Sequence, residues 1–252
     1  MALRMQNEMR RLLEELRYEP IASRIRAEAA GRVVVDSRRA VLVWEAQRII
    51  PAYGVPPEDI AAELVPAEPM VHEPSSAFGR HHGPGQDFTI RLPGRELTEA
   101  AFRPDDPELS EYLVLDFAAF DRWWEDEEAV EGHPRDPFHR VDARLGSQRV
   151  RVEYDGVILA ETVKPVFVYE TMIRVRTYFP RDDVDLALLE RTDHQTICPY
   201  KGRASYWSVR GAGAQGQNIA WSYEDPLPDS SQIKGLIAFY DERTDVLVEE
   251  PH

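Results

Sequence analysis

The chain carries the same segment twice. Residues 25–60 read IRAEAAGRVVVDSRRAVLVWEAQRIIPAYGVPPEDI, and residues 150–184 read VRVEYDGVILAETVKPVFVYETMIRVRTYFPRDDV. Arg26 aligns with Arg151, Glu28 with Glu153, Gly31 with Gly156, Glu45 with Glu170 and Tyr53 with Tyr178, each pair 125 residues apart. A one-residue gap then sets Glu58-Asp59-Ile60 on Asp182-Asp183-Val184. Solenoid units repeat every roughly 20–50 residues, so a spacing this long marks a duplicated domain. Two domains of about 100–150 residues fit the 252 available. Each is long enough to bury a core without metal or disulfide support. Duplication also sorts residues. What both copies keep serves folding, and what one copy has alone is a candidate for function.

The local patterns predict mostly strand. Leu3 to Arg17 has helical spacing of Leu3, Met9, Leu12, Leu13 and Leu16, ended by Pro20. Beyond it, Arg32–Asp36 and Ala40–Glu45 are β-branched runs joined by Ser37-Arg38-Arg39, a hairpin signal. In the second copy Arg149–Tyr154 and Val157–Thr162 flank Asp155-Gly156, a strong hairpin signature, and Val166–Glu170 follows. Short acidic segments at 57–64 and 181–189 read as helices. Residues 65–86, rich in Pro, Gly, Ser and His, read as a surface loop. Towards the copy ends Ala101-Phe102 matches Ala220-Trp221, and YLVLD (112–116) matches GLIAF (235–239) as a closing strand. The segment DRWWEDEEAVEG reads as helical, followed by a polar connector. The domain boundary falls near residue 145, giving domains 1–145 and 146–252. Sequential hairpins without βαβ alternation predict a mainly β, antiparallel architecture in each half, with a few short helices and an N-terminal helix. GAGAQG (211–216) follows no convincing strand and opens no helix, so it reads as a tight turn rather than a phosphate loop.

Charge and composition narrow the partners. The net charge is −15, which disfavours a nucleic-acid backbone or an anionic membrane. No apolar run approaches the roughly 20 residues of a membrane span, and the N-terminus lacks a secretory pattern. The lone Cys198 permits no intramolecular disulfide and no Cys-rich zinc site. These features predict a soluble cytoplasmic protein that binds neither nucleic acid nor membrane and holds no metal or cofactor.

The main asymmetry between the copies is CPYKGRASYWSV (198–209), set against IRLPGRELTEAA (90–101), with AWSYEDPLP (220–228) as a second cluster. Tyr206, Trp207, Trp221 and Tyr223 around one concavity would wall a small-molecule pocket, with Tyr178 and Arg176 beside them. Lys201 would supply a cation or a desolvated amine. Cys198 would supply a thiolate if Lys201 or His194 lies near. Glu170 would act as a general acid or base if it faces the pocket, although its presence in both copies points first to a structural role. Arg174 and Arg176 would bind an anion or sit on an exposed face. The competing reading makes the four aromatics core residues and Cys198 an inert buried thiol. His133, Asp136, His139 and Asp142 match no familiar metal spacing. They read as an ion-pair network in the His133–Asp142 connector that fixes one repeat on the other. His72, His81 and His82 read as solvent-exposed.

At these residues the chain resembles the bacterial domain of unknown function family 427. VVDSRRAVLVWE, WWEDEEAVEGHPRDPFHRVD, CPYKGRASYWSV, AWSYEDPLP and GLIAFYDERTDV carry the resemblance in order, over nearly the whole chain, as a tandem two-copy member. The resemblance implies a β-tent, two small antiparallel sheets leaning on each other, with a site on the concave side. Similar tents hold zinc through paired Cys-x-x-Cys motifs, which are missing here. The family is sometimes labelled nucleotidyltransferase-like. That chemistry needs carboxylates holding Mg²⁺, and Asp182-Asp183 and Glu58-Asp59 read instead as helix-start residues. Where relatives tend to read T-G-L-P-T-R-Y-Y-L-P, this chain has TMIRVRTYFP (171–180), so ligand choice would differ.

The leading functional reading is a small-molecule site in the second copy, possible catalysis resting on Lys201, Cys198 and Glu170, with the first copy a degenerate partner. A protein-interaction module using Trp123-Trp124, the acidic face of the first copy and the N-terminal helix is the alternative. A nucleotide-handling enzyme is third.

Overall fold

A computed structural model describes residues 2–68 and 83–249. The chain divides between Pro137 and Phe138 into two units. The first holds helix α1 (Met5–Leu12) and eleven strands: β1 (Arg17–Pro20), β2 (Ile25–Ala29), β3 (Arg32–Ser37), β4 (Val41–Trp44), β5 (Ala52–Val55), β6 (Glu63–Pro66), β7 (Gly85–Leu92), β8 (Arg95–Pro104), β9 (Leu113–Leu115), β10 (Arg122–Glu125) and β11 (Glu128–Val130). The second holds β12 (Val141–Leu145), β13 (Arg149–Tyr154), β14 (Val157–Thr162), β15 (Val166–Glu170), β16 (Arg176–Phe179), β17 (Leu189–Cys198), β18 (Gly202–Val209), β19 (Ala220–Ser222), β20 (Ile237–Phe239) and β21 (Asp245–Glu249). β12 precedes the boundary read near residue 145, yet it pairs with β15 as an edge strand of the second unit.

Each unit has one large and one small sheet, with matching order. The large sheets run β1-β4-β5-β9-β8-β7-β6 and β12-β15-β16-β20-β19-β18-β17. The small sheets run β11-β10-β2-β3 and β14-β13-β21. All of these ladders are antiparallel. This is the tent architecture, built twice.

The small sheets show why both copies keep the same residues. β2 buries Ile25, Ala27 and Ala29 in strict alternation. Its turn into β3 uses Ala30 and Gly31 at φ 51° and 71°, and the β13–β14 turn uses Asp155 and Gly156 at 49° and 76°. Two successive positive φ values define the hairpin turn whose twist suits paired strands. The next turn is a correction. Ser37-Arg38-Arg39 does not close a hairpin, because β3 lies in the small sheet and β4 in the large one. It is the corner where the chain changes sheets. Ser37 Oγ donates to Asp59 Oδ2 at 2.7 Å and accepts from the Arg39 N–H. Thr162 Oγ1 donates to Asp183 Oδ2 at 2.6 Å and accepts from the Lys164 N–H. Both copies therefore lock the corner with a hydroxyl and a carboxylate. The segments read as helices at 57–64 and 181–189 are short 3-10 turns, Pro57–Asp59, Arg181–Asp183 and Leu186–Leu188, the first two of which present those carboxylates.

Two further readings change. The helix predicted over 3–17 ends at Leu12, because Arg17–Pro20 pairs with β4. DRWWEDEEAVEG is not helical. Its residues form the β10–β11 hairpin, turned at Asp126 with φ 50°. Strand alternation sends Trp123 into the core at 2% exposure, where its indole N–H donates to Phe117 O and its ring packs on Phe117, Phe120 and Tyr53. The predicted loop 65–86 contributes its ends to β6 and β7. His72, His81 and His82 lie outside the described residues.

Candidate functional site

A large sheet has two faces, and in each unit both are apolar. The inner face joins the small sheet in one cluster. In the second unit this cluster holds Val150, Val152, Leu159, Phe179, Trp207, Ala220, Ile237 and Phe239. The outer face forms a separate cluster of Val166, Val168, Tyr178, Ala204, Tyr206, Trp221, Tyr223 and Ala238. The first unit divides the same way, with Val41, Val43 and Val114 outside and Leu42, Tyr53, Leu113 and Leu115 inside.

These faces fix the alignment of the copies. Val41 pairs with Gly54, and Val166 with Tyr178. Tyr178 therefore stands where the first unit has Gly54, not Tyr53. The one-residue gap lies earlier than the sequence suggested, between Glu45 and Ala52. The closing strands shift likewise, so that Val114 corresponds to Ala238, whereas Ala101-Phe102 against Ala220-Trp221 agrees with the ladders. CPYKG also moves. By strand order the β17–β18 turn corresponds to the β6–β7 connection, which includes residues outside the described set, and IRLPGRELTEAA is the β7–β8 hairpin.

With that register, six outer-face positions separate the copies. The first unit has Ala52, Gly54, Asp87, Phe102, Pro104 and Asp116. The second has Arg176, Tyr178, Tyr206, Trp221, Tyr223 and Tyr240. Trp207 does not belong to this set. It follows Tyr206 on β18, so its side chain takes the opposite face and packs in the inner core.

The outer-face aromatics are buried, Tyr178, Tyr206, Trp221 and Tyr223 being at most 7% exposed. Lys201 begins the β18 side of its hairpin, and Glu170 ends β15. The strand order puts four ladder steps between them, about 19 Å on a flat sheet. Their extended side chains span roughly half of that. Yet Lys201 Nζ lies 2.5 Å from Glu170 Oε1. The two side chains thus meet across this face although their strands lie four steps apart in the sheet.

Local structure aims both groups. Gly202, at φ 96°, gives the hairpin a left-handed step that side chains rarely adopt. Leu227 N–H donates to Lys201 O, and Ser230 Oγ to Tyr200 O, anchoring the tip. The ammonium passes 5.7 Å from the Tyr223 ring centre. His139, two residues before β12, stacks on Tyr200 at 4.3 Å and sets Nε2 3.7 Å from Glu170 Oε2. The pairing of Val141 with Glu170 puts it there. Burial alone would push the Glu170 carboxyl up. His139 and Lys201 outweigh it and hold the group below the ordinary carboxylate range. Glu170 is thus an ionised acceptor for the Lys201 side chain.

The Tyr178, Tyr223 and Tyr240 phenols stay protonated. Burial raises Tyr178, Tyr223 and Tyr240. Trp221 Nε1 donates to Tyr178 Oη at 3.1 Å, while Tyr206 Oη meets Thr196 Oγ1 at 2.9 Å and Tyr240 Oη at 3.5 Å. Arg176 braces this wall, 5.8 Å from the Trp221 ring and 5.7 Å from Tyr240. Its charge is taken by Glu242 at 2.7 Å and Asp241 at 3.3 Å. Arg174 stays exposed. Cys198 is a half-buried free thiol packed against the same cluster. His194 packs edge-on against Tyr206. Among the described residues no group of three or more His, Cys, Asp or Glu is placed to hold a metal, and no helix is long and apolar enough to cross a membrane.

Sequence reasoning missed His139 as a neighbour of Glu170, and Tyr240 and Thr196 as parts of the wall. The alternation of Ala238 and Tyr240 along one strand face was a usable signal for Tyr240.

A search of curated proteins gives no match. The sequence profile of a family described as a domain of unknown function, DUF427, matches twice, over residues 17–131 and 142–250. The two matches coincide with the two tents, and the chain belongs to the DUF427 family as a tandem two-copy member.

Proposed function

We propose that the second repeat binds a small molecule on the outer face of its large sheet. Tyr178, Tyr206, Trp221, Tyr223 and Tyr240 would hold an apolar or planar body, and the Glu170–Lys201 pair would meet its polar end. The observation that carries this reading is the outer-face asymmetry. Folding needs of the tent are the same in both repeats, yet five aromatic residues and a bracing arginine stand where the first repeat has Ala, Gly, Asp, Phe, Pro and Asp. An aromatic wall with few polar groups suits a ligand site. Should the ligand also be turned over, Glu170 would accept a proton, Lys201 would stabilise developing negative charge, and Cys198 would be the nearby thiol.

Thermal-shift screening of the full chain against a metabolite and nucleotide library tests the reading. A ligand at about 100 times its dissociation constant stabilises by about 2.7 kcal/mol. That stabilisation should vanish in Trp221→Phe and Lys201→Ala and persist in Trp207→Phe, whose ring lies on the other face. No stabilising compound, or equal loss in all three variants, would reject the site.

One observation favours an interaction role as a second reading. α1 buries none of its residues, and Leu3, Met5 and Leu12 are 68%, 69% and 47% exposed. Trp123 is buried in the first unit's core and so is no part of such a surface, while Trp124 is only partly buried.

A further inference from the structure

The turn after β4 in the first repeat carries a second asymmetry, independent of the site above. Both repeats make this turn alike. Glu45 and Glu170 open it, Gln47 and Met172 take positive φ of 66° and 62°, and the N–H three residues on closes it, from Arg48 to Glu45 O and from Ile173 to Glu170 O. The fold is thus content with isoleucine at the fourth position. The first repeat places arginine there and buries it to 9% exposure.

Arg48 is held but not satisfied. Its Nη1 lies 3.0 Å from Glu45 Oε2. Its backbone is fixed by Arg17, whose Nη2 donates to Arg48 O at 2.7 Å and Glu45 O at 3.2 Å. Its Nε and Nη2 are buried with no hydrogen-bond partner among the described residues. A guanidinium keeps its charge, so unmet buried donors on it are costly. The two unmet atoms share one edge of the plane. Their N–H bonds are parallel, the fork that matches two oxygens of a carboxylate or phosphate. Two guanidiniums lie at this turn, Arg17 on its backbone carbonyls and Arg48 on the Glu45 carboxylate.

We infer that the Nε/Nη2 edge of Arg48 is an oxyanion site, taking a phosphoryl or carboxylate group in a two-oxygen grip. Glu45 orients the guanidinium by holding its other end. On this account the first repeat is not a degenerate partner but carries its own site.

The test follows the Arg48 Nε–H signal of the full chain by NMR, assigned through the side-chain carbons. Inorganic phosphate and succinate are titrated separately, against sodium chloride at equal ionic strength. The expected result is a saturable shift with one of the two anions and none with chloride. Phosphate alone would identify a phosphoryl site, and succinate alone a carboxylate site. Arg48→Lys keeps a cation for Glu45 but removes the fork, and should weaken binding at least about tenfold. Should that variant fail to fold, the wild-type titration decides alone. A shift that tracks ionic strength, no saturation with either anion, or unchanged affinity in a folded Arg48→Lys would overturn the inference.

Discussion

Lys201→Met isolates the Glu170–Lys201 contact. Methionine keeps an unbranched apolar stem against Tyr223 and removes the ammonium. The Lys201 and Glu170 side chains are 10% and 5% exposed, so the carboxylate left behind has little water and only His139, 3.7 Å away. Removing one partner of a buried pair costs about 3–5 kcal/mol. At about 4 °C per kcal/mol for a unit of this size, the second unit's transition should fall by about 12–20 °C. The pH dependence has a definite sign. In the native chain Glu170 titrates below its unfolded value, so its contribution is present above about pH 4.3 and fades as pH falls through the folded value. In the variant, burial without lysine raises the group, so the variant recovers relative to wild type as pH falls from 7 towards 4. Adding Glu170→Gln should recover much of the loss at pH 7. Calorimetry of the full chain reads all three. A loss under about 1 kcal/mol, or one unchanged between pH 7 and 4, would refute the buried-pair account.

Further outcomes follow from the duplicated frame. Ser37→Ala and Thr162→Val should cost similar amounts, about 1–3 kcal/mol each in denaturant unfolding, because each removes the hydroxyl that locks the same corner to Asp59 or Asp183. Gly54→Ala should destabilise by about 1–3 kcal/mol, since its Cβ would meet Val41 Cγ2 at 2.9 Å; the first repeat has no room where the second places Tyr178. Trp207→Ala should cost about 3–5 kcal/mol as an inner-core truncation while leaving ligand selectivity intact.

The sequence made the duplication, the β class and the Asp155-Gly156 hairpin legible because those signals are local or nearly identical between copies. Faces were harder. Moving a gap by one residue turns a strand over, so aligning Tyr53 with Tyr178 joined an inner residue to an outer one, and grouping Trp207 with Tyr206 joined two faces. The acidic, helix-favouring run after Trp124 became a hairpin because β10 finds β2, about a hundred residues away, and Asp126 accepts the turn. Ser37 looked like a hairpin because nothing local says that the next strand belongs to another sheet. Glu170 and Lys201 were both visible as candidates. Their contact was not, because it spans five strands of the sheet, and His139 reaches them only through the β12–β15 pairing.

The most direct test of a ligand site on the outer face of the second repeat is the indole N–H spectrum of the full chain, with its five tryptophans, titrated with a compound from the thermal screen. The account predicts that the Trp221 signal, bonded to Tyr178, moves saturably while Trp44, Trp123 and Trp207 stay in place. Saturable movement of first-repeat indoles with Trp221 unmoved would contradict it.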